Sequence, residues 1–390
     1  MPIIARLLGL LLSVAMLAAG PAAYATTFKT LHVFTGPDGA EPQAALVFDT
    51  KGALYGTTRL GGPPGSGGTV FKLDPITKVR TTLHSFTGAD GELPDAGLVF
   101  DTKGALYGTT EQGGPPGSSG TVFKLNPATH VLTILHAFKN NPDGAFPVAG
   151  LVFDTKGALY GTTSEGGAHG GGIVFKLDPA THVLTRLHTF TGPEGSSPQA
   201  GLVFDTKGAL YGTTVVGGPA QKGTVFKLDP ATHVLTILNG FTNATDGVSP
   251  QGLVFDTKGA LYGTTAVGPC KPVFPPVCGR GTVFKLDPAT RILTTLHDFN
   301  GADGADPVAG LVFDTKGALY GTTSSGGAHG VGTVFTLNPA TKVLTTLHTF
   351  TGAAGANPLA GLMFGPKGAL FGTTSRGGSS NEGTVFELAP

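Results

Sequence analysis

The chain has 390 residues and carries 25 basic and 25 acidic side chains. No segment is strongly basic and no basic stretch is interleaved with exposed aromatics, which argues against a nucleic-acid partner. Its 63 Gly and 29 Pro would suit a disordered chain, but they recur at fixed positions between apolar runs and 40% of residues are apolar, so they mark turns in a folded all-β protein.

The first 25 residues stand apart. Arg6 precedes an apolar run, Leu7 to Ala19, broken only by Gly9 and Ser13, and Ala23-Tyr24-Ala25 is an A-x-A cleavage site. The run is short for a membrane span, so residues 1–25 read as a secretory signal peptide. No second stretch is long enough to cross a bilayer, and no membrane span is expected after its removal. The expected location is secreted, extracellular or periplasmic.

The rest, 26–390, is a tandem array. The phrase Leu-Val-Phe-Asp-Thr-Lys-Gly-Ala-Leu-Tyr-Gly-Thr-Thr begins at Leu46, Leu98, Leu151, Leu202, Leu253 and Leu311, and a degenerate seventh copy begins at Leu362. Each copy reads as four short strands. In the second, strand a is Leu98 to Phe100, strand b Ala105 to Thr110, strand c Thr121 to Leu125 and strand d Val131 to Phe138. Asp101-Thr102-Lys103-Gly104 has the Asp and Gly of a type I turn, and Asn126-Pro127-Ala128-Thr129 places Pro where its fixed φ suits a turn. Four strands in about 50 residues match one propeller blade. The last copy stops after strand c, while Phe28 to Phe34 is a strand d with no blade before it. The expected fold is an all-β, seven-bladed β-propeller of four-stranded blades, closed by pairing of the N-terminal strand with the C-terminal blade.

The phrases Gly-Ala-Leu-Tyr-Gly-Thr-Thr and Gly-Thr-Val-Phe-Lys-Leu resemble the bacterial tandem repeat called GloVer, found in exported proteins of the "choice-of-anchor" type. That resemblance implies an exported repeat protein with no assigned activity. The family often carries a C-terminal anchor. This chain stops at Pro390, directly after strand c, so surface anchoring by such a segment is not expected. The Leu-Asp-Pro-Ala-Thr turns also resemble quinoprotein-type propellers, which typically use a Trp that this chain lacks, and the likeness implies shared architecture alone.

Cys270 and Cys278 lie in the one long copy. An exported chain meets an oxidising compartment, and two thiolates with no His, Asp or Glu between them make a poor metal site, so a disulfide is expected. Six strand-d histidines (His32, His84, His136, His188, His297 and His348, with Asn239 in the seventh place) invite a metal reading. Their recurrence on the outermost strand fits a hydrogen-bonding role instead. His169 and His329 fall in b–c loops and read as solvated.

The copies differ mainly in the d–a and b–c loops, which share one face of a propeller. Just before strand a, the residue after Pro is Gln43, Asp95, Val148, Gln199, Gln251, Val308 or Leu359, and the residue before Pro includes Glu41 and Asp306. The candidate ligand-binding set is therefore Glu41, Gln43, Asp95, Gln199, Gln251 and Asp306. There is no G-x-S-x-G elbow, no H-E-x-x-H and no phosphate loop. No catalytic residue, metal or cofactor is expected. Three functions remain open: a non-catalytic binding or interaction propeller for an unknown extracytoplasmic ligand (protein, glycan or small molecule); a hydrolase or lactonase-like enzyme with a metal at the channel mouth; and a structural envelope protein.

Overall fold

The strand phrase of each copy is apolar enough to be buried on both sides, and that governs how the copies pack. A computed structural model describes residues 26–271 and 277–389; the expected signal peptide lies outside them. Among the described residues there are seven four-stranded antiparallel sheets. The first runs Val47–Phe48, Leu54–Thr58, Thr69–Leu73, Arg80–Ser85, corresponding to strands a to d, and the others repeat it. Strand a is only two residues long except in the fifth blade, where it is Val248–Phe255. In the second blade strands b and c, Leu106–Thr110 and Thr121–Leu125, are buried along their whole length apart from Lys124.

Strand d carries a bulge that the sequence alternation hides. In the second blade His136 pairs with Val122 and Ile134 with Phe123, which leaves Leu135 as the extra residue. A bulge shifts the two-residue period by one. Leu135 and Phe138, three apart, are therefore both buried in the same core cluster.

Blades are coupled by aromatic rings. The strand-d Phe of each blade meets the strand-c Phe of the next at 5.2–5.5 Å, as in Phe86–Phe123 and Phe190–Phe226. The strand-b Tyr meets the strand-a Phe of the next blade edge-on, as in Tyr107–Phe153 at 5.2 Å. The strand-c Phe packs against strand b, where only Gly fits: a Cβ on Gly108 would fall 2.6 Å from Phe123 Cζ. Of the Thr-Thr pair of strand b, the first works between blades and the second within its own. Thr109 Oγ1 donates to Ala149 O of the next blade, and Thr110 Oγ1 bonds Thr121 Oγ1 of strand c.

The two chain ends complete the ring. Thr27–Val33 pairs antiparallel with Thr384–Ala389, so the seventh blade takes its strand d from the N-terminus. Phe34 meets Phe71 at 5.3 Å, as every other interface requires. Thr373 Oγ1 donates to Ala44 O across the seam, and Phe28 stacks against Phe386. The expected fold and its closure are both observed. By this connectivity the a–b and c–d turns lie on one face, and the d–a and b–c loops on the other. Each a–b turn holds an exposed lysine: Lys51, Lys103, Lys156, Lys207, Lys258, Lys316 and Lys367.

Removing residues 26–34 would leave strand c of the seventh blade as an open edge and strip Phe34 from the core. The truncated protein should melt well below the full-length one and aggregate on heating. Calorimetry giving equal melting temperatures for the two would contradict ring closure as a source of stability.

Candidate functional site

The channel mouth on the loop face is built from a strained residue repeated in every blade. The residue before each loop proline is in the left-handed region although none is Gly: Glu41, Leu93, Phe146, Ser197, Ser249, Asp306 and Asn357 have φ between 53° and 56°. Such a conformation costs about 1–3 kcal/mol and persists only where neighbours hold it. Here both sides hold it. Leu93 N–H donates to Gly67 O of the preceding blade, and Leu93 O accepts from Glu111 N–H of its own b–c loop. The turn aims the residue after the proline at the axis. There Gln43, Asp95, Val148, Gln199, Gln251, Val308 and Leu359 surround a cavity of about 380 Å³, floored by the small residues that follow them.

The six expected residues divide into two groups. Gln43, Asp95, Gln199 and Gln251 line the cavity. Gln251 Nε2 donates to Ser249 O at 2.9 Å, and Gln199 Nε2 to Ser197 Oγ at 3.3 Å. Glu41 and Asp306 sit one residue before the proline and are occupied by loop partners. Glu41 lies 2.6 Å from Arg376 across the seam, and Asp306 Oδ2 accepts from Ser325 Oγ at 2.6 Å. The six do not converge, and no three His, Cys, Asp or Glu side chains are placed to hold a metal ion among the described residues.

Asp95 has the most perturbed environment. Its Oδ1 lies 2.9 Å from Arg59 Nε, and Arg59 also donates to Glu111 Oε2 at 3.2 Å. One guanidinium thus serves two carboxylates. Burial, then the bond with Glu111, push the Asp95 carboxyl up to about 7 against the pull of Arg59. Near neutral pH this channel-mouth group therefore exists both as a hydrogen-bond donor and as an acceptor. Arg59 and Glu111 were not among the expected residues. The signal was present: the residue after Thr-Thr in the copies is Arg59, Glu111, Ser164, Val215, Ala266, Ser324 and Ser375, a position as variable as the one after the proline.

The strand-d histidines have local partners. His32, His84, His136 and His297 bond the carboxylates of Asp38, Asp90, Asp143 and Asp303 in the loop that follows, at 2.7–3.0 Å, and His188 faces Glu194 at 3.4 Å. His348 differs because Ala354 stands where the others have an acid; its ring instead stacks on Phe28 at 3.9 Å. His169 and His329 are exposed on their loops.

Fold and mouth together define a closed seven-bladed propeller whose variable polar groups meet at one end of its channel. The chain belongs to the Gloeobacter/Verrucomicrobia repeat family, whose model matches residues 22–220, 116–272 and 201–390. Comparison with curated protein sequences finds no match. Among solved structures it is similar to the extracellular domain of a one component system from B. thetaiotaomicron (15% identity, TM-score 0.57), with 93% of this chain spanning 41% of that one. Virginiamycin B lyase from Staphylococcus aureus (9% identity, TM-score 0.57) matches over 94% of this chain and 99% of its own. Oligogalacturonate lyase from Vibrio parahaemolyticus (11% identity, TM-score 0.58) matches over 93% and 96%. At these identities the likeness is one of fold.

Burial without a carboxylate partner pushes His348 down to about 4. The unfolded imidazole titrates near 6.5. As pH falls from about 6.5 to about 4, the unfolded chain takes up a proton that the folded chain refuses, so stability present above this window is lost within it. His348→Asn, the residue found at Asn239, removes the group. The fall in melting temperature between about pH 7 and pH 4.5 should be smaller in the variant than in the parent protein. Parallel pH profiles would assign the acid sensitivity elsewhere.

Proposed function

We propose that the chain is an exported, non-catalytic binding propeller whose ligand enters over the channel mouth of the loop face. One observation carries this reading. The position after the loop proline varies from copy to copy and points into a cavity, while the repeated polar positions are taken up by bonds within the protein. Gln43, Asp95, Gln199 and Gln251 are the groups that meet the ligand, and burial, aided by Glu111 and opposed by Arg59, raises the Asp95 carboxyl. Glu41 and Asp306 brace the rim. The mixture of amide, carboxyl and aliphatic side chains suits a neutral polar ligand such as a glycan or a peptide loop. Residues 1–25 act as the leader, and the protein works outside the cytoplasm. The two lyases named above share its blade architecture, and no constellation of side chains here supports extending their activities to this chain.

The test is a ligand screen by thermal shift and glycan array, followed by variants. Asp95→Ala combined with Gln199→Ala should weaken any soluble ligand found by about tenfold or more, which removal of two polar contacts would produce. Lys103→Ala on the turn face should leave affinity unchanged. Affinity should also change with a midpoint near pH 7, and that change should vanish in Asp95→Asn. A soluble ligand that footprints to the turn face would overturn the assignment.

Export has a second consequence. Cys270–Lys271 and Val277–Cys278 form a two-stranded ribbon in which Cys270 and Cys278 are direct partners. We propose that they form a disulfide that staples the long b–c loop of the fifth blade. A loop this short should stabilise the whole fold only modestly. Thiol titration of the denatured, unreduced protein should find none, and two reactive thiols would refute the bond.

A further inference from the structure

The equal totals of acid and base hide an uneven distribution. The loop face holds Asp95 at its mouth and Asp38, Glu41, Asp90, Glu111 and Asp303 in its d–a and b–c loops. The turn face holds the seven exposed a–b lysines, none ion-paired among the described residues. It has acids too, but they are bound into the turns. Asp101 accepts the N–H groups of Lys103 and Ala105 and the hydroxyl of Tyr107, and Asp178 accepts those of Ala180 and Thr181. Those carboxylates keep their charge but are tied to the backbone of the turns, whereas the long lysine side chains, with Arg291 of a c–d turn, extend into solvent from this face.

The same face carries apolar side chains that nothing in the protein covers. After the left-handed residue of each c–d turn comes an exposed aliphatic one: Val79, Val131, Val183, Val234, Ile292 and Val343, joined by Ile76 in the first blade, between 55% and 89% exposed. Of the large hydrophobic residues exposed among the described residues, the remainder are Leu60 and Val216 on the loop face. Single exposed valines are ordinary; a rim of them concentric with a ring of lysines is not. The turns are also nearly identical in length, whereas the loops vary, and a cavity of about 1410 Å³ opens among the turns of the fifth to seventh blades, bordered by Lys258 and Lys316.

We propose that the turn face docks on an anionic lipid bilayer. The lysines lie over the phosphate groups, the aliphatic rim seats at the level of the headgroups, and the channel mouth is presented to the medium. A flat surface of negative charge with an apolar layer beneath it matches both rings at once. A soluble polyanion uses the lysines and leaves the rim exposed. A second copy stacked loop face to turn face meets the charge but offers an uneven partner.

The test is flotation of the full-length exported protein with phosphatidylcholine vesicles, with and without about a third phosphatidylglycerol. It should float with the anionic vesicles alone and be released by about 0.5 M salt. Lys103→Glu, Lys156→Glu and Lys207→Glu together should reduce binding by about tenfold or more, in line with loss of several surface charges. Val131→Ser, Val183→Ser and Val234→Ser together should reduce it several-fold while keeping the salt dependence. All six positions are exposed, and unchanged melting temperatures will verify that both variants fold. The proposal is overturned if folded protein fails to bind anionic vesicles at low salt. It is equally overturned if the serine variant binds as well as the parent and polyphosphate competes fully, or if the lysines govern only self-association seen by sedimentation.

Discussion

Every blade of this protein depends on an aromatic ring borrowed from its neighbour. The strand-d Phe of one blade and the strand-c Phe of the next fill a single space, with Phe138 against Phe175 at 5.3 Å as one instance, and a Tyr–Phe pair closes the inner side of the same interface. Each such pair contributes roughly 0.5–1.5 kcal/mol beyond the area it buries. An isolated blade would leave both rings in water. The repeat therefore has a stable form only when an unbroken set of neighbours exists, and a ring supplies that set with no terminal blade.

The same coupling explains which positions vary among the copies. Gly108 cannot change because Phe123 lies on it, and Asp101 cannot change without losing three bonds within its turn. The seventh blade shows the limit: Gly365 and Phe371 replace the Asp–Tyr pair together, and the Phe371 ring still meets Phe48 at 5.1 Å. Packing is kept where the hydrogen bond is given up. Variation is left to the side chains that point into the channel and to the tips of the b–c loops, where no neighbour constrains them.

The channel mouth combines rigid placement with chemical freedom. A left-handed residue ahead of proline would be unfavourable in an isolated loop. Seven of them persist because each is gripped by hydrogen bonds from two blades. The side chain that follows is thereby aimed at the axis regardless of its identity, so Gln, Asp, Val and Leu all occupy the same place. Among them Asp95 alone is ionisable; burial and Glu111 of its own blade raise its carboxyl, and Arg59 from the preceding blade opposes them.

The sequence by itself determined the blade count, the four-strand unit, the positions of the turns and the closure through Phe28 to Phe34. All of these follow from local periodicity and from matching an orphan strand to a missing one. It also marked the ring of Gln43, Asp95, Gln199 and Gln251, because copies of one repeat can be compared with one another. Only the tertiary structure decided the rest. The bulge at Leu135 is set by the need to bury both Leu135 and Phe138 in one interface. Glu41 turned out to be occupied by Arg376 from the seventh blade across the seam, and Asp306 by Ser325 of its own b–c loop. The Asp95 carboxyl is raised by burial and by Glu111 against the pull of Arg59, a residue 36 positions away in sequence and in contact only because blades pack side by side. The contacts of Arg376 and Arg59 arise from the packing of one repeat on the next, and no pattern within a single repeat encodes them.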